Sequence, residues 1–211
     1  MKAAAAIAGL VVLALVWSGP LPGLAAHSFA AHMTMHMSVV AVAAPLIALG
    51  ITGTALDGSA RLPWLFSPLL AAMLEFAIVW GWHMPALHGA ARTGGWAFAA
   101  EQGGFLLAGL LLWISCLGRA AGGTFAGALI GTLALLLTSM HMTLLGALIA
   151  FANRPLFGHV HGSDAAGSLA DQQLGGVIML MAGGLVYLAG GLALMARVLL
   201  AEPSMERESP P

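Results

Sequence analysis

The run His32-Met33-Thr34-Met35-His36-Met37 carries imidazole or thioether side chains at five of six consecutive positions. Both are soft or borderline donors, the ligand set that copper(I) prefers. His32 and His36 are four residues apart, so on a helix they share one face and can grip one ion between them. Met33 and Met37 have the same spacing on the adjoining face. The plain alternative is a pair of interfacial histidines hydrogen-bonded to other helices, with methionine as a flexible packing residue. The local pairing of the two residue types favours a metal, and it recurs. His83 precedes Met84, and His141 lies between Met140 and Met142. Met179 and Met181 point to different faces of a helix, so at most one of them, taken here as Met179, joins the set. The candidate ligands are His32, His36, His83, His141, Met33, Met37, Met142 and Met179. Glu101 is a carboxylate that could hold a histidine in place. His88, His159 and His161 read as loop residues outside the set.

Elements must position these groups, and composition says which kind. Of 211 residues, 60% are hydrophobic and 7% charged, and the mean hydropathy of +0.96 is that of an integral membrane protein with short loops. The fold class is all-α: a bundle of about six transmembrane helices forming one polytopic domain over residues 1–201. Residues 202–211 form a polar, disordered cytoplasmic tail. A span needs roughly 20 mostly apolar residues. Six segments qualify or come close: Ala3–Trp17, Met33–Ile51, Leu65–Trp82, Ala97–Leu117, Thr124–Phe151 and Leu174–Leu200. The first also resembles a signal peptide ending near Ala26. Turns are expected over Ser18–Ala26, Thr52–Pro63, His83–Gly95, Gly118–Gly123 and Ala152–Gln173, with Pro20, Pro22, Pro63, Pro85 and Pro155 near helix ends. Gly123, Gly127 and Gly131 repeat every four residues, which favours close helix packing. A net charge of −1 gives no reason to expect nucleic acid. The single cysteine, Cys116, excludes an intramolecular disulfide and a Cys-x-x-Cys transfer site. No phosphate loop, nucleophile elbow or His-Glu-x-x-His motif is present.

Basic residues orient the helices. With the N-terminus in the cytoplasm, Lys2, Arg61, Arg119, Arg197 and Arg207 fall inside, while Arg92 and Arg154 fall outside. Both termini are then cytoplasmic. All eight histidines lie on the outer side, as do Glu101 and Asp171. His141 and Glu75 sit within apolar segments. An ionisable group there must face the bundle interior or a cavity. Glu75 and Glu101 each either support a histidine or remain protonated.

Four blocks together resemble the CtaG family, associated with assembly of caa-type cytochrome c oxidase. They are Ser28–Met33 with His36-Met37; Trp82–Leu87; His141 with Leu144–Leu148 and Pro155-Leu156; and Asp171–Gly176 with Ile178-Met179 and Gly183-Gly184. The resemblance implies a multi-pass inner-membrane protein that helps to mature the oxidase, most plausibly by delivering copper. Its partners would be oxidase subunits, other copper chaperones and the lipid bilayer. Carried over residue by residue, its polar positions are His32, His36, His83, Glu101, His141 and Asp171, with Glu101 and Asp171 supporting the ligands. The family often has a histidine where this chain has Gln102, so a ligand is lost here or replaced by Met142 or Met179. Around Leu180–Ala182 the family's Trp and Pro are absent, and the N-terminus is shorter than in long members.

Copper hand-over breaks no substrate bond, so an enzyme is not expected. Two rival readings use the same residues. A haem electron carrier would clamp iron between two histidines on different helices, such as His36 and His141. A metal-free scaffold would dock on an oxidase subunit.

Overall fold

Lipid offers no hydrogen-bonding partners, so a long apolar run folds as a helix that satisfies its own backbone. The protein follows this rule in its computed structural model, which describes residues 1–93, 95–118, 124–157 and 165–201. The helices are α1 (Lys2–Ser18), α2 (Leu21–Ala25), α3 (Phe29–Met37), α4 (Ala44–Ile51), α5 (Pro68–Trp82), α6 (Pro85–Thr93), α7 (Gly95–Leu117), α8 (Phe125–Ala150) and α9 (Ala165–Ala201). A π-turn, Ser38–Ala43, joins α3 to α4 so that Phe29–Ile51 runs as one rod of 23 residues. The cause of the π-turn is Pro45, which has no N–H to donate. The ladder shifts register ahead of it, and Ala44 N–H bonds Val39 O, five residues back. In that register Val40 O would pair with residue 45, the proline, and so lacks a donor in its own helix.

Each of the six expected apolar segments is helical, but six spans are not confirmed among the described residues. Four helices are long and apolar enough to cross: Phe29–Ile51, Gly95–Leu117, Phe125–Ala150 and Gly167–Arg197. A fifth span arises if α5 and α6, bent by 73° at His83-Met84, count as one. The first helix, α1, has 17 residues. At about 1.5 Å per residue it is roughly 26 Å long, at the short end for a ~30 Å hydrocarbon core, and it starts at the Thr52 end of the rod, where Lys2 Nζ donates to Thr52 O at 2.7 Å. It packs on α4, where Gly50 admits Ala6 and Gly9 admits Ile47. Three expected turns hold helix as well, the first of them Ser18–Ala26, where Leu21–Ala25 forms α2. Pro85 starts α6 rather than a loop, as proline suits a first helical position. In α9, the polar residues Asp171, Gln172 and Gln173 continue the helix because neighbouring backbone satisfies them: Leu156 N–H donates to Gln172 Oε1 at 2.6 Å, and Gln173 Nε2 donates to Ala152 O at 3.0 Å.

The most extensive contact is α8 against α9. A Cβ on Gly146 would lie 2.6 Å from Leu180 N, and one on Gly176 would collide with Ala150 N. The backbones therefore touch at these glycines. Of the glycine repeat that the sequence singled out, a Cβ on Gly131 would lie 3.4 Å from Cys116 Cα, an ordinary contact. Gly127 serves the Thr124 N-cap. Gly123, Arg119, His159, His161, Asp164 and the tail from Glu202 lie outside the described residues.

Candidate metal centre

At one end of the bundle the start of α3, the end of α5, α6 and the starts of α7 and α9 meet. The α3 helix is fixed there at its first turn. Ser28 is its N-cap and accepts from Ala31 N–H. Asp171, reaching across from α9, accepts from Ser28 Oγ at 2.7 Å, Phe29 N–H at 2.5 Å and Ala30 N–H at 3.3 Å. A carboxylate at a helix N-terminus satisfies orphan N–H groups and complements the dipole. Asp171 therefore supports the histidines by holding their helix; it touches neither ring.

One turn on, His32 and His36 face Glu101 of α7, and all three are buried. His32 Nε2 is 3.2 Å from Glu101 Oε1, and His36 Nε2 is 3.2 Å from Oε2. The two imidazole rings meet edge-on, 4.2 Å between centroids. One ligand atom from each of the three residues falls within 4.8 Å of the others, close enough to share an ion. Two donors each about 2.0 Å from a tetrahedral ion stand roughly 3.3 Å apart, close to the two histidine-to-carboxylate distances, which run to different oxygens of Glu101. The His36–Glu101 contact has the distance of an ion pair but not the direction of a hydrogen bond, and neither His36 nitrogen has a hydrogen-bond partner among the described residues. Gln102 Nε2 donates to Glu101 Oε2 at 3.3 Å, and Trp17 Nε1 donates to Gln102 Oε1 at 3.3 Å. Gln102 thus contacts the centre where the family resemblance leads one to expect histidine.

A second donor pair adjoins the first. His83 Nδ1–H donates to Val79 O at 2.7 Å, which leaves Nε2 as the unprotonated nitrogen of a neutral ring. That nitrogen lies 3.4 Å from Met33 Sδ, an acceptor with no proton to give. Two lone pairs thus face each other, an arrangement that a soft cation would satisfy. A ring N–H tied to a backbone carbonyl is also the usual way a ligating histidine is oriented. His36 links the two groups, 5.9 Å from His83 between ring centroids, and Phe105 packs on it at 4.3 Å.

His88, which the sequence placed in a loop, is on α6 and buried, with its ring 4.9 Å from His32 and in contact with Phe29 and Phe157. The signal for it was Pro85, three residues before it, as a helix start. A cavity of about 240 Å³ reaches His32 from between α2, α6 and α7. Arg92 lines it and donates from Nη2 to Ala26 O at 2.8 Å.

The structure brings together His32, His36, His83, Met33 and Glu101. It does not bring His141 to them. That ring meets Phe76, 5.3 Å away, beside a groove between α5 and α8, and both its nitrogens lack a partner. Met142 is buried against Gly183. Met37 and Met179 are buried among apolar neighbours.

The family model described as cytochrome c oxidase caa3 assembly factor (Caa3_CtaG) matches residues 1–200. No curated protein and no solved structure matches the chain. The match covers nearly all of the 211 residues, and the chain belongs to this family.

Proposed function

We propose that this member of the caa3 assembly factor family carries a cuprous ion at His32, His36 and Glu101 and hands it to a cytochrome c oxidase subunit through His83 and Met33. The carrying observation is a buried carboxylate set between two imidazoles. Among the described residues its ion-pair partners are these two histidines, with no Lys or Arg. An uncompensated charge inside a membrane is costly. Two neutral imidazoles, one carboxylate and one monovalent cation sum to zero charge, whereas a divalent ion would leave a buried positive charge. Charge balance therefore favours copper(I) over zinc.

Transfer is ligand exchange. The Met33 thioether and His83 Nε2 offer a softer, two-coordinate station beside the first, so the ion gives up Glu101 as it gains sulfur. No bond in a substrate is made or broken, which supports an assembly role without catalysis. The distribution of basic residues supports placing this end of the bundle at the outer face of the cell's inner membrane, with both termini cytoplasmic. A copper chaperone on that side would load the site through the cavity beside His32. The haem reading is the weaker one for the pair His36 and His141: His36 packs against His32, His83 and Phe105, while His141 packs on Phe76.

The test is oxidase maturation in cells that carry His32→Ala/His36→Ala in place of the native chain. Expected is loss of copper-dependent oxidase activity at low copper, with partial recovery when copper is added. Full activity at low copper, with the variant present at normal level, would leave the metal-free scaffold as the better reading.

A further inference from the structure

A second carboxylate lies deeper in the bundle, away from the histidines. Glu75 is in the middle of α5 and fully buried. Every element packed around it contributes a neutral group. From α9 comes Tyr187, whose hydroxyl is 2.5 Å from Glu75 Oε1. From α8 comes Thr138, whose hydroxyl faces the carboxyl. Among the described residues neither Thr138 Oγ1 nor Glu75 Oε2 has a hydrogen-bond partner. From α7 come Cys116, within electrostatic reach, and Trp113, stacked on Tyr187 at 5.4 Å. From the π-turn comes the Val40 carbonyl, 3.5 Å from the Tyr187 hydroxyl. Among the described residues no Lys, Arg or His pairs with Glu75.

Something must neutralise this carboxylate. A metal cation would need more oxygens than the site presents: Glu75 Oε2 and Thr138 Oγ1 are unpartnered, and even with Glu75 Oε1, the Tyr187 hydroxyl and the Val40 carbonyl there are five, while hard cations take about six or more. A proton needs one acceptor. The Val40 carbonyl decides where it goes. Its helix gives it no donor, because the π-register pairs it with Pro45. With Glu75 ionised, the phenol donates to Oε1 and Val40 O stays unsatisfied. With a proton on Oε1, Glu75 donates to the Tyr187 oxygen, and the phenol is free to donate to Val40 O. The neutral acid thus makes two hydrogen bonds where the anion makes one, and a buried unsatisfied carbonyl costs about 1–3 kcal/mol.

We propose that Glu75, Tyr187 and the Val40 carbonyl form a proton-binding site within the membrane, with Glu75 a neutral acid and the phenol relaying its hydrogen bond to the π-turn. The ligand is the proton itself. Val40 is four residues beyond His36 on the same rod, yet no hydrogen bond among the described residues joins this site to the two histidines.

The test is infrared difference spectroscopy of the full chain in detergent at neutral pH. The expected result is a carboxylic-acid C=O band present in wild type, absent in Glu75→Gln and shifted in D2O. In Tyr187→Phe, which keeps the ring and its stacking on Trp113, the band persists at higher frequency because the acid has lost its acceptor. A carboxylate band in place of the acid band, lost in Glu75→Gln, would overturn the proposal, whether or not sodium alters it. An acid band unmoved in Tyr187→Phe would overturn the relay. Copper does not enter these measurements, so they can fail while the copper reading stands, and the reverse.

Discussion

Glu101 and Glu75 are both fully buried, both in apolar helices and both without a Lys or Arg partner among the described residues, yet their surroundings ask for different things. Glu101 is flanked by imidazoles, which are bases with lone pairs, and a thioether lies beyond them. Glu75 is flanked by hydroxyls and by a carbonyl in want of a donor. A ring of lone pairs is completed by a cation, and a ring of hydroxyls and carbonyls by a proton. The neighbours, more than the carboxylate or its burial, determine what neutralises it.

The largest expected effect separates the two sites directly. Glu101→Gln removes the negative charge between the imidazoles and should weaken copper(I) binding about 10- to 100-fold, as read by competition against a chromophoric chelator. Glu75→Gln should leave that affinity within about threefold, since well-separated sites act nearly independently. Equal losses would merge the two regions into one.

Architecture comes next. Gly176→Ala forces a methyl group onto the Ala150 backbone and should cost about 1–3 kcal/mol by overpacking, seen as a lower thermal midpoint in detergent. Asp171→Ala uncaps α3 and should cost about 0.5–2 kcal/mol. Because α3 carries His32 and His36 but not Glu75, the Asp171 change should also lower copper affinity while sparing the Glu75 acid band. Smallest in stability is Met33→Leu, a swap close in volume that should cost less than about 1.5 kcal/mol. Its effect should fall on selectivity: copper(I) binding weakens while any zinc binding is retained, because only the soft ion uses sulfur.

The positions of the apolar helices were legible because lipid leaves an apolar run no other fold. The histidine pair on α3 was legible from its spacing of four. The joining of His32 to Glu101 was not, because 69 residues separate them and no local pattern encodes which helices meet. Asp171 was legible as a polar residue at the right end of the bundle, but not as a cap on another helix. The π-turn is written in Pro45, yet a proline in an apolar run reads equally as a kink. The bend at His83-Met84 turned an expected loop into α6 and brought His88 onto His32. His141 shows the converse. Its Met-His-Met context matches that of the α3 run, but its helix turns it toward Phe76 and a different neighbourhood.

The most direct measurement is copper content, with a visible absorption spectrum, of detergent-purified protein loaded with copper(I) under reducing conditions. Wild type, His32→Ala/His36→Ala and Glu75→Gln would be compared. The expected result is about one copper per chain in wild type and in Glu75→Gln, none in the double variant, and no haem band in any. Equal copper in wild type and the double variant, or none in either, would contradict a copper site at His32, His36 and Glu101.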